Sequence, residues 1–101
     1  MYTLGGLVQK LYFTYVLRCV DTKLNSVQFY TASTTDLKAR ILNHKSKNTR
    51  STKRFDKIGL VYFEGCLNKT DALKREIQLK TGYGRGYLKK RLENYLKTVR
   101  V

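Results

Sequence analysis

The sequence of 101 residues has no proline and no tryptophan, two cysteines, one histidine, and seven acidic residues against 21 lysines and arginines. Without proline, repeats or low-complexity stretches, nothing in it has the composition of a linker between domains. A chain of this length buries only about two thirds of its unfolded surface, which leaves little room for a second hydrophobic core. We therefore predict a single domain spanning residues 1–101.

Long apolar runs are absent as well. No run approaches the roughly 20 residues that cross a bilayer, and the first ten residues lack the basic start and apolar stretch of a secretory signal. Cys19 and Cys66 stand alone without metal-ligand spacing, so we expect reduced, buried thiols without chemical roles. These absences predict a cytoplasmic protein that does not enter the membrane.

The chain carries a formal net charge of +14. Such an excess repels itself unless a polyanion is near, so nucleic acid is the expected partner and nucleoid association the expected location. Residues 45–57 have no periodicity and predict a basic loop, which is either a solvated surface or an arm that contacts a nucleic-acid backbone. The cations that we assign to nucleic-acid binding are Arg50, Lys53, Arg54, Lys80, Arg85, Lys89 and Lys90.

The first regular pattern is a hairpin. Residues 11–20 alternate and are rich in aromatic and β-branched side chains, which predicts a strand with Phe13, Tyr15, Leu17 and Cys19 on one face. A turn at residues 21–25 and a second strand at 27–32 complete an antiparallel pair that brings Tyr30 near Tyr15. On the residues alone, both tyrosines are half-buried sheet positions with a solvated hydroxyl.

A helix follows the hairpin. Hydroxyls and a carboxylate at residues 33–36 predict its start near Leu37, and Leu37 and Ile41 face the core. Arg40 and His44 are also four apart and share a side that borders this apolar stripe. Taken alone, Arg40 is a solvated charge and His44 a satisfied histidine near a helix C-terminus.

The second half predicts one strand and two helices. Residues 58–64 have the composition of a buried third strand that ends at Gly65. A helix capped by Asn68 or Thr70 covers about residues 71–80 and ends at Gly82. Residues 83–86 form a glycine-rich connector, and residues 87–99 a last helix that covers the sheet and exposes a cationic side.

Glu76 lies against the apolar stripe of the helix at residues 71–80. Without further information, it is a surface carboxylate paired with Lys80 at i+4, a pair worth about 0.3 to 0.5 kcal/mol, or with Lys69 or Arg75.

Four stretches change these interpretations when they are taken together. FTYVLRC around Tyr15, FYTA around Tyr30, TTDLKARILNH and DALKREIQLK resemble, in the right order, the successive motifs of the GIY-YIG nuclease family. The chain is most similar in kind to small stand-alone, excinuclease-like members. The resemblance implies an α+β fold with a small antiparallel three-stranded sheet flanked by helices.

The resemblance also implies a site and a reaction. The positions that match the family's functional residues are Tyr15, Tyr30, Arg40, His44 and Glu76. By this analogy Glu76 holds one Mg²⁺ or Mn²⁺ ion, and Arg40 stabilises the charge on the phosphodiester in the transition state. Tyr15 acts as the base or positions the water, with Tyr30 and His44 orienting water or relaying the proton. A tyrosine base needs a pKa well below its usual ~10.

The family pattern is departed from in three places. Ala32 occupies the place of the motif glycine, where a Cβ hinders close approach or an unusual dihedral. The GIY triplet reads Phe13, Thr14, Tyr15, and the connection from Cys19 to Tyr30 is longer than a tight hairpin. All five polar positions remain, which favours a working nuclease.

We therefore expect a metal-dependent endonuclease that cleaves DNA with little base readout and prefers single-stranded or branched substrates. One alternative is a degenerate module that binds DNA or RNA through charge and stacking tyrosines. Another is a basic partner of ribosomal RNA or an adaptor, in which Arg40, His44 and Glu76 are ordinary surface residues. Recruitment by another protein, or a homodimer, is compatible with the sequence.

Overall fold

The computed structural model describes residues 2–4 and 7–99, with side chains for residues 10–99. The elements are β1 (Tyr2–Leu4), β2 (Leu7–Gln9), β3 (Tyr12–Asp21), β4 (Ser26–Thr34), α1 (Leu37–Lys45), β5 (Lys57–Cys66), α2 (Lys69–Leu79), α3 (Gly82–Arg91) and α4 (Glu93–Thr98). The short strands β1 and β2 pair with each other, a hairpin that the sequence pattern did not predict.

The main sheet has three antiparallel strands in the order β4-β3-β5, which confirms the predicted α+β fold. β3 is the central strand, and Tyr15 on it pairs with Ala32 of β4 and Phe63 of β5. The predicted third strand is present as β5, but its predicted burial and its predicted end at Gly65 were wrong. β5 is an edge strand that continues to Cys66, with Gly65 paired to Phe13.

Both faces of β3 are covered. On one face Tyr15, Leu17 and Cys19 form the core with Ala32 and Phe55. On the other face the Thr14 hydroxyl donates a hydrogen bond of 3.0 Å to the Ala72 carbonyl of α2. Most of β3 is buried because it is the central strand and both of its faces are covered. The alternating pattern of the sequence had predicted only the face that carries Tyr15, Leu17 and Cys19.

The hairpin and α1 follow the prediction with longer strands. β3 and β4 remain paired as far as Asp21 and Ser26, so the long connection is strand rather than loop, and only residues 22–25 turn. Asp36 is the N-cap of α1 and accepts from the Ala39 amide at 3.0 Å. Leu37 and Ile41 pack against the core, as predicted.

Ala32 is accommodated without strain. It lies within the regular pairing of β4, and only Asn25 and Lys47 have a positive φ among the non-glycine residues that the structure describes. The side chain is buried in the core. The backbone at this position therefore does not require the glycine of the family motif.

Residues 46–56 form the predicted loop, but two of its side chains are buried. Thr52 and Phe55 point inward, and Phe55 belongs to the main core. The Asp56 carboxylate accepts hydrogen bonds from the Thr22 amide at 2.8 Å and hydroxyl at 2.6 Å. The loop is therefore fixed to the hairpin and the core while its cations remain exposed.

The C-terminal helices differ from the prediction. α2 begins at Lys69 after the Asn68 cap, and Gly82 starts α3 instead of ending α2. Residues 83–86, predicted as a connector, lie inside α3, because Thr81 caps the new helix by accepting from the Gly84 amide. The predicted last helix is divided at Leu92, where α3 ends and α4 begins. No helix in the described part of the chain is long and apolar enough to cross a membrane.

Gly84 permits the close contact between α2 and α3. It is buried, and a Cβ at this position would overlap the backbone of Leu79 at the end of α2. We expect Gly84→Ala to lower the free energy of unfolding by roughly 2 to 3 kcal/mol, since the helices must separate to admit the methyl group. Urea unfolding followed by circular dichroism measures this loss.

Gly86→Ala is the matched control for this substitution. Gly86 lies in the same helix, and nothing lies within 4 Å of the position of its Cβ. Alanine there should raise the free energy of unfolding by about 0.5 to 1 kcal/mol through helix propensity. Equal unfolding midpoints for the two variants would contradict the assigned role of Gly84.

Candidate active site

A buried chain of hydrogen bonds links β3, α1 and the basic loop. The Tyr15 hydroxyl lies 2.9 Å from His44 Nε2, and His44 Nδ1 lies 2.7 Å from the Thr52 hydroxyl. All three side chains have 0% exposure. The central strand, the last turn of the helix and the loop each contribute one member, so the fold itself fixes their geometry.

His44 is neutral in this environment. Burial lowers the pKa of its imidazole, and the Arg40 charge one helical turn away lowers it further. A neutral imidazole has one N–H, so it donates at one nitrogen and accepts at the other. His44 can therefore accept a proton from one of its two partners while it donates to the other.

Tyr15 is protonated at neutral pH. Burial raises the pKa of its phenol above the usual value, and the nearby Arg40 guanidinium offsets this only in part. The hypothesis of a tyrosine base requires a shift in the opposite direction. A hydroxyl bonded to a neutral histidine provides another route, because in the tautomer protonated at Nδ1 the His44 Nε2 atom accepts the phenolic proton.

Tyr30 and Arg40 border the same group. Tyr30 pairs with Leu17 across the hairpin, and its ring meets the His44 ring edge-on with 5.2 Å between centroids. Arg40 is exposed, whereas His44, four residues further on, is buried. The shared side predicted for these two residues is therefore a boundary, with the histidine in the core and the guanidinium at the surface.

Glu76 lies on the opposite face of the sheet, beside the end of β4. Its carboxylate accepts 2.7 Å from the Ser33 hydroxyl and 2.8 Å from Lys80 Nζ, which is the i+4 pair that the sequence suggested. Arg75, another suggested partner, instead pairs with Glu64 at 2.8 Å. The Glu76 charge also contributes to the raised pKa of Tyr15 on the other face, as the smallest of its causes.

The Glu76 carboxylate is ionised at neutral pH. Burial raises its pKa, but the hydrogen bonds from Lys80 and Ser33 outweigh burial, so the pKa lies below its usual value. Lys80 is 52% exposed and can leave this oxygen for solvent. A divalent cation can then replace the ammonium at the same carboxylate oxygen.

The residues present suit a hard cation with few protein ligands. The described part of the chain contains no group of three or more His, Cys, Asp or Glu side chains that could hold a metal. Mg²⁺ commonly binds through one or two carboxylates and completes its shell with water and substrate phosphate. Glu76 alone meets that requirement, whereas a zinc site with several protein ligands does not fit.

The predicted nucleic-acid-binding cations lie in three places. Arg50, Lys53 and Arg54 are exposed in the loop that also carries Thr52. Lys80, Arg85 and Lys89 line a groove between the sheet and the C-terminal helices. Lys90 lies elsewhere, in a hollow on α3 beside Tyr83 and Tyr87. The loop cations lie next to the hydrogen-bond chain of Tyr15, His44 and Thr52. The groove cations lie next to Glu76, which pairs with Lys80. Lys90 belongs to neither group.

Two residues of this site were missed from the sequence. Thr52 lies within a charge run without periodicity, where no pattern distinguishes a buried hydroxyl. Ser33 was assigned to the helix start, but it is the next-to-last residue of β4 and donates to Glu76. Extending the alternation of the predicted strand at residues 27–32 by one residue would have placed Ser33 on the face that carries Thr31.

Both cysteines are free. Cys19 is buried, and burial raises the pKa of its thiol to about 11, so it stays protonated. Cys66 is half-buried, not fully buried as predicted.

Comparisons with known proteins identify the family of this chain. The GIY-YIG catalytic domain matches residues 11–91, and the chain therefore belongs to the GIY-YIG family. The domain is a nuclease domain, and nucleic acid is the substrate class that it implies. The assignment of individual side chains to roles stays a prediction.

Similar chains are UPF0213 proteins, a small stand-alone GIY-YIG group. Those of Staphylococcus haemolyticus and Staphylococcus epidermidis are 35% and 37% identical over 71 residues, which cover 69% of this chain and 80% of theirs. That of Desulfotalea psychrophila is 37% identical over 71 residues, 68% of this chain and 60% of its own. No solved structure matches the chain significantly.

Proposed function

We propose that the protein is a metal-dependent endonuclease that hydrolyses phosphodiester bonds of DNA with little base readout, preferring single-stranded or branched DNA. The observation that carries this proposal is the buried Tyr15–His44–Thr52 chain, bordered by a cation at Arg40, with an ionised carboxylate at Glu76 on the other face of the same sheet. A histidine with a purely structural role needs only a hydrogen-bond partner for each of its two ring nitrogens. In the tautomer protonated at Nδ1, this one also accepts from the Tyr15 hydroxyl, whose pKa the Arg40 charge lowers and the Glu76 charge raises.

The proton of the attacking water leaves through Tyr15. As the water attacks phosphorus, the phenolic oxygen accepts its proton while the phenolic proton moves to His44 Nε2. His44 Nδ1 then donates to the Thr52 hydroxyl, which holds the imidazole in orientation. The tyrosine never has to be a free phenolate, so its raised pKa is no obstacle.

Arg40 binds the phosphate and opens the site. Tyr15 is fully covered, so water reaches its oxygen only after a neighbouring group moves. Arg40 is exposed, and a scissile phosphate would draw its guanidinium outward into a charge-assisted contact. A divalent cation at Glu76 would neutralise charge that develops on the phosphate oxygens. Tyr30, edge-on to His44, closes the other side of the imidazole.

The direct test is a cleavage assay of the purified protein on labelled single-stranded, duplex and flapped DNA. We expect cuts with Mg²⁺ or Mn²⁺, none with EDTA, and higher rates on single-stranded or flapped DNA than on duplex. Salt should lower the rate steeply, because the exposed cations displace counterions from the backbone.

The contrary result is a folded protein that shifts DNA in EDTA and in metal but never cuts it. That outcome would support the alternative, a basic module that binds nucleic acid and has lost catalysis.

A further inference from the structure

An apolar groove separates the sheet from the C-terminal helices. Val16, Phe29 and Thr31 line it from β3 and β4, and Leu88, Leu92 and Leu96 line it from α3 and the residues that follow. Its volume is about 660 Å³. Phe29 is 45% exposed here, although it is a large apolar side chain on the main sheet. The helix predicted to cover the sheet therefore leaves one part open.

The rim of the groove carries only positive charge. Lys80, Arg85 and Lys89 line it, and no described acidic residue does. Arg18 lies opposite Phe29 in the pairing of β3 with β4. Its Nε atom is buried without a hydrogen-bond acceptor among the described residues. The groove thus combines an apolar floor with a cationic rim, and of the rim cations Lys80 pairs with the Glu76 carboxylate.

The groove continues into the candidate metal site. Lys80 lines the groove and is also the ion-pair partner of Glu76. Thr31 lines the groove, and Ser33, two residues further along the same face of β4, donates to Glu76. A DNA strand whose scissile phosphate lies at Glu76 would therefore place its neighbouring nucleotide in this groove.

We propose that the groove binds an unpaired base of single-stranded DNA next to the scissile phosphate, with Phe29 as the stacking surface and the rim cations on the flanking phosphates. An aromatic face flanked by cations is the usual site for single strands, since every base offers a π face. Bases of an intact duplex are stacked inside and cannot enter. A second copy of this chain would bring the same cations against the rim, which opposes self-association.

This inference rests on the proposed function, but its test does not require cleavage. Binding is measured in EDTA by fluorescence anisotropy, with a labelled single strand of about 12 nucleotides and a strand of equal length whose central residues are abasic. The two strands carry the same phosphates and differ only in bases. We expect wild type to bind the base-bearing strand at least about fivefold more tightly.

Phe29→Ala should remove most of that difference and leave binding of the abasic strand unchanged. Phe63→Ala is the matched control, because Phe63 is similarly exposed, at 50%, and lies on β5 outside the groove. It should retain the preference for bases. Thermal unfolding of each variant confirms that it is folded at the assay temperature.

Three results would overturn the proposal, and the first two are equal affinity of wild type for both strands and an unchanged preference in Phe29→Ala. A wild-type dimer that Phe29→Ala converts to a monomer in light scattering would also overturn it, in favour of self-association. The proposed function fails separately, since base-dependent binding without any metal-dependent cutting would refute catalysis and leave the groove assignment standing.

Discussion

Glu76→Gln should lower the metal-dependent cleavage rate by on the order of a thousandfold while the protein stays folded. Glutamine keeps the length of the side chain and an oxygen that accepts from the Ser33 hydroxyl. It removes the negative charge that is bonded to Lys80 and available to a divalent cation. The loss should therefore appear in the rate and in metal binding, and not in the unfolding transition.

Binding in EDTA separates this effect from a general change in charge. Glu76→Gln makes the protein more basic, so it should bind DNA as tightly as wild type or slightly more tightly. Glu93→Gln is the matched control, because it removes the same charge from an exposed residue at the start of α4. It should cut at the wild-type rate.

Manganese provides a second readout. Electron paramagnetic resonance of Mn²⁺ should detect bound ion in wild type and Glu93→Gln, and free ion in Glu76→Gln. Cleavage by Glu76→Gln within about tenfold of wild type would show that Glu76 does not hold the catalytic cation.

The sequence predicts the strands of the sheet better than it predicts the tertiary contacts that hold the candidate site. Alternation and β-branched content located β3 and β4, because those signals act over neighbouring residues. The edge position of β5 depends on which strands pair, and no local pattern encodes that. Gly65 shows the difference: it was read as a strand end, yet it pairs with Phe13, which is 52 residues earlier in the chain.

Glycine misled the prediction again at the C-terminal helices. Gly82, Gly84 and Gly86 suggested a turn by composition, because glycine is a poor helix former. The contact of Gly84 with the Leu79 backbone, together with the Thr81 cap, selects a helix instead. Such tertiary contacts override propensity and do not appear in any window of the sequence.

Motif resemblance supplied the candidate site residues but not their chemistry. It singled out Tyr15, His44 and Glu76, whereas the pKa directions depend on burial and on residues brought from elsewhere. Thr52 illustrates the limit, since its hydroxyl matters only because the loop folds back onto His44.

Tyr15→Phe should reduce cleavage by roughly a hundredfold to ten thousandfold, because it removes the hydroxyl that passes the water's proton to His44. The ring remains, so the core stays filled. His44 Nε2 loses its partner in a buried place, which should cost about 1 to 3 kcal/mol of stability. Rates are therefore compared at a temperature where urea unfolding shows both proteins to be folded.

Tyr62→Phe controls for the loss of a tyrosine hydroxyl. Its hydroxyl donates to Glu64 at 2.8 Å and lies 3.0 Å from the Tyr87 hydroxyl, in a cluster outside the site. We expect this variant to lose some stability and to keep its cleavage rate. His44→Gln should lose about as much activity as Tyr15→Phe, and the double variant little more, because the two side chains act as one unit.

The pH profile distinguishes the relay from a free phenolate. In the relay His44 must be neutral, and since burial lowers its pKa from 6.5, the rate should be level above about pH 6.5 and fall only at lower pH, as the imidazole becomes protonated. A required phenolate, with its pKa raised above 10.0, would instead make the rate rise about tenfold per pH unit from pH 7 to 9. Such a rise would refute the relay through His44, and a level rate over that range would refute the phenolate.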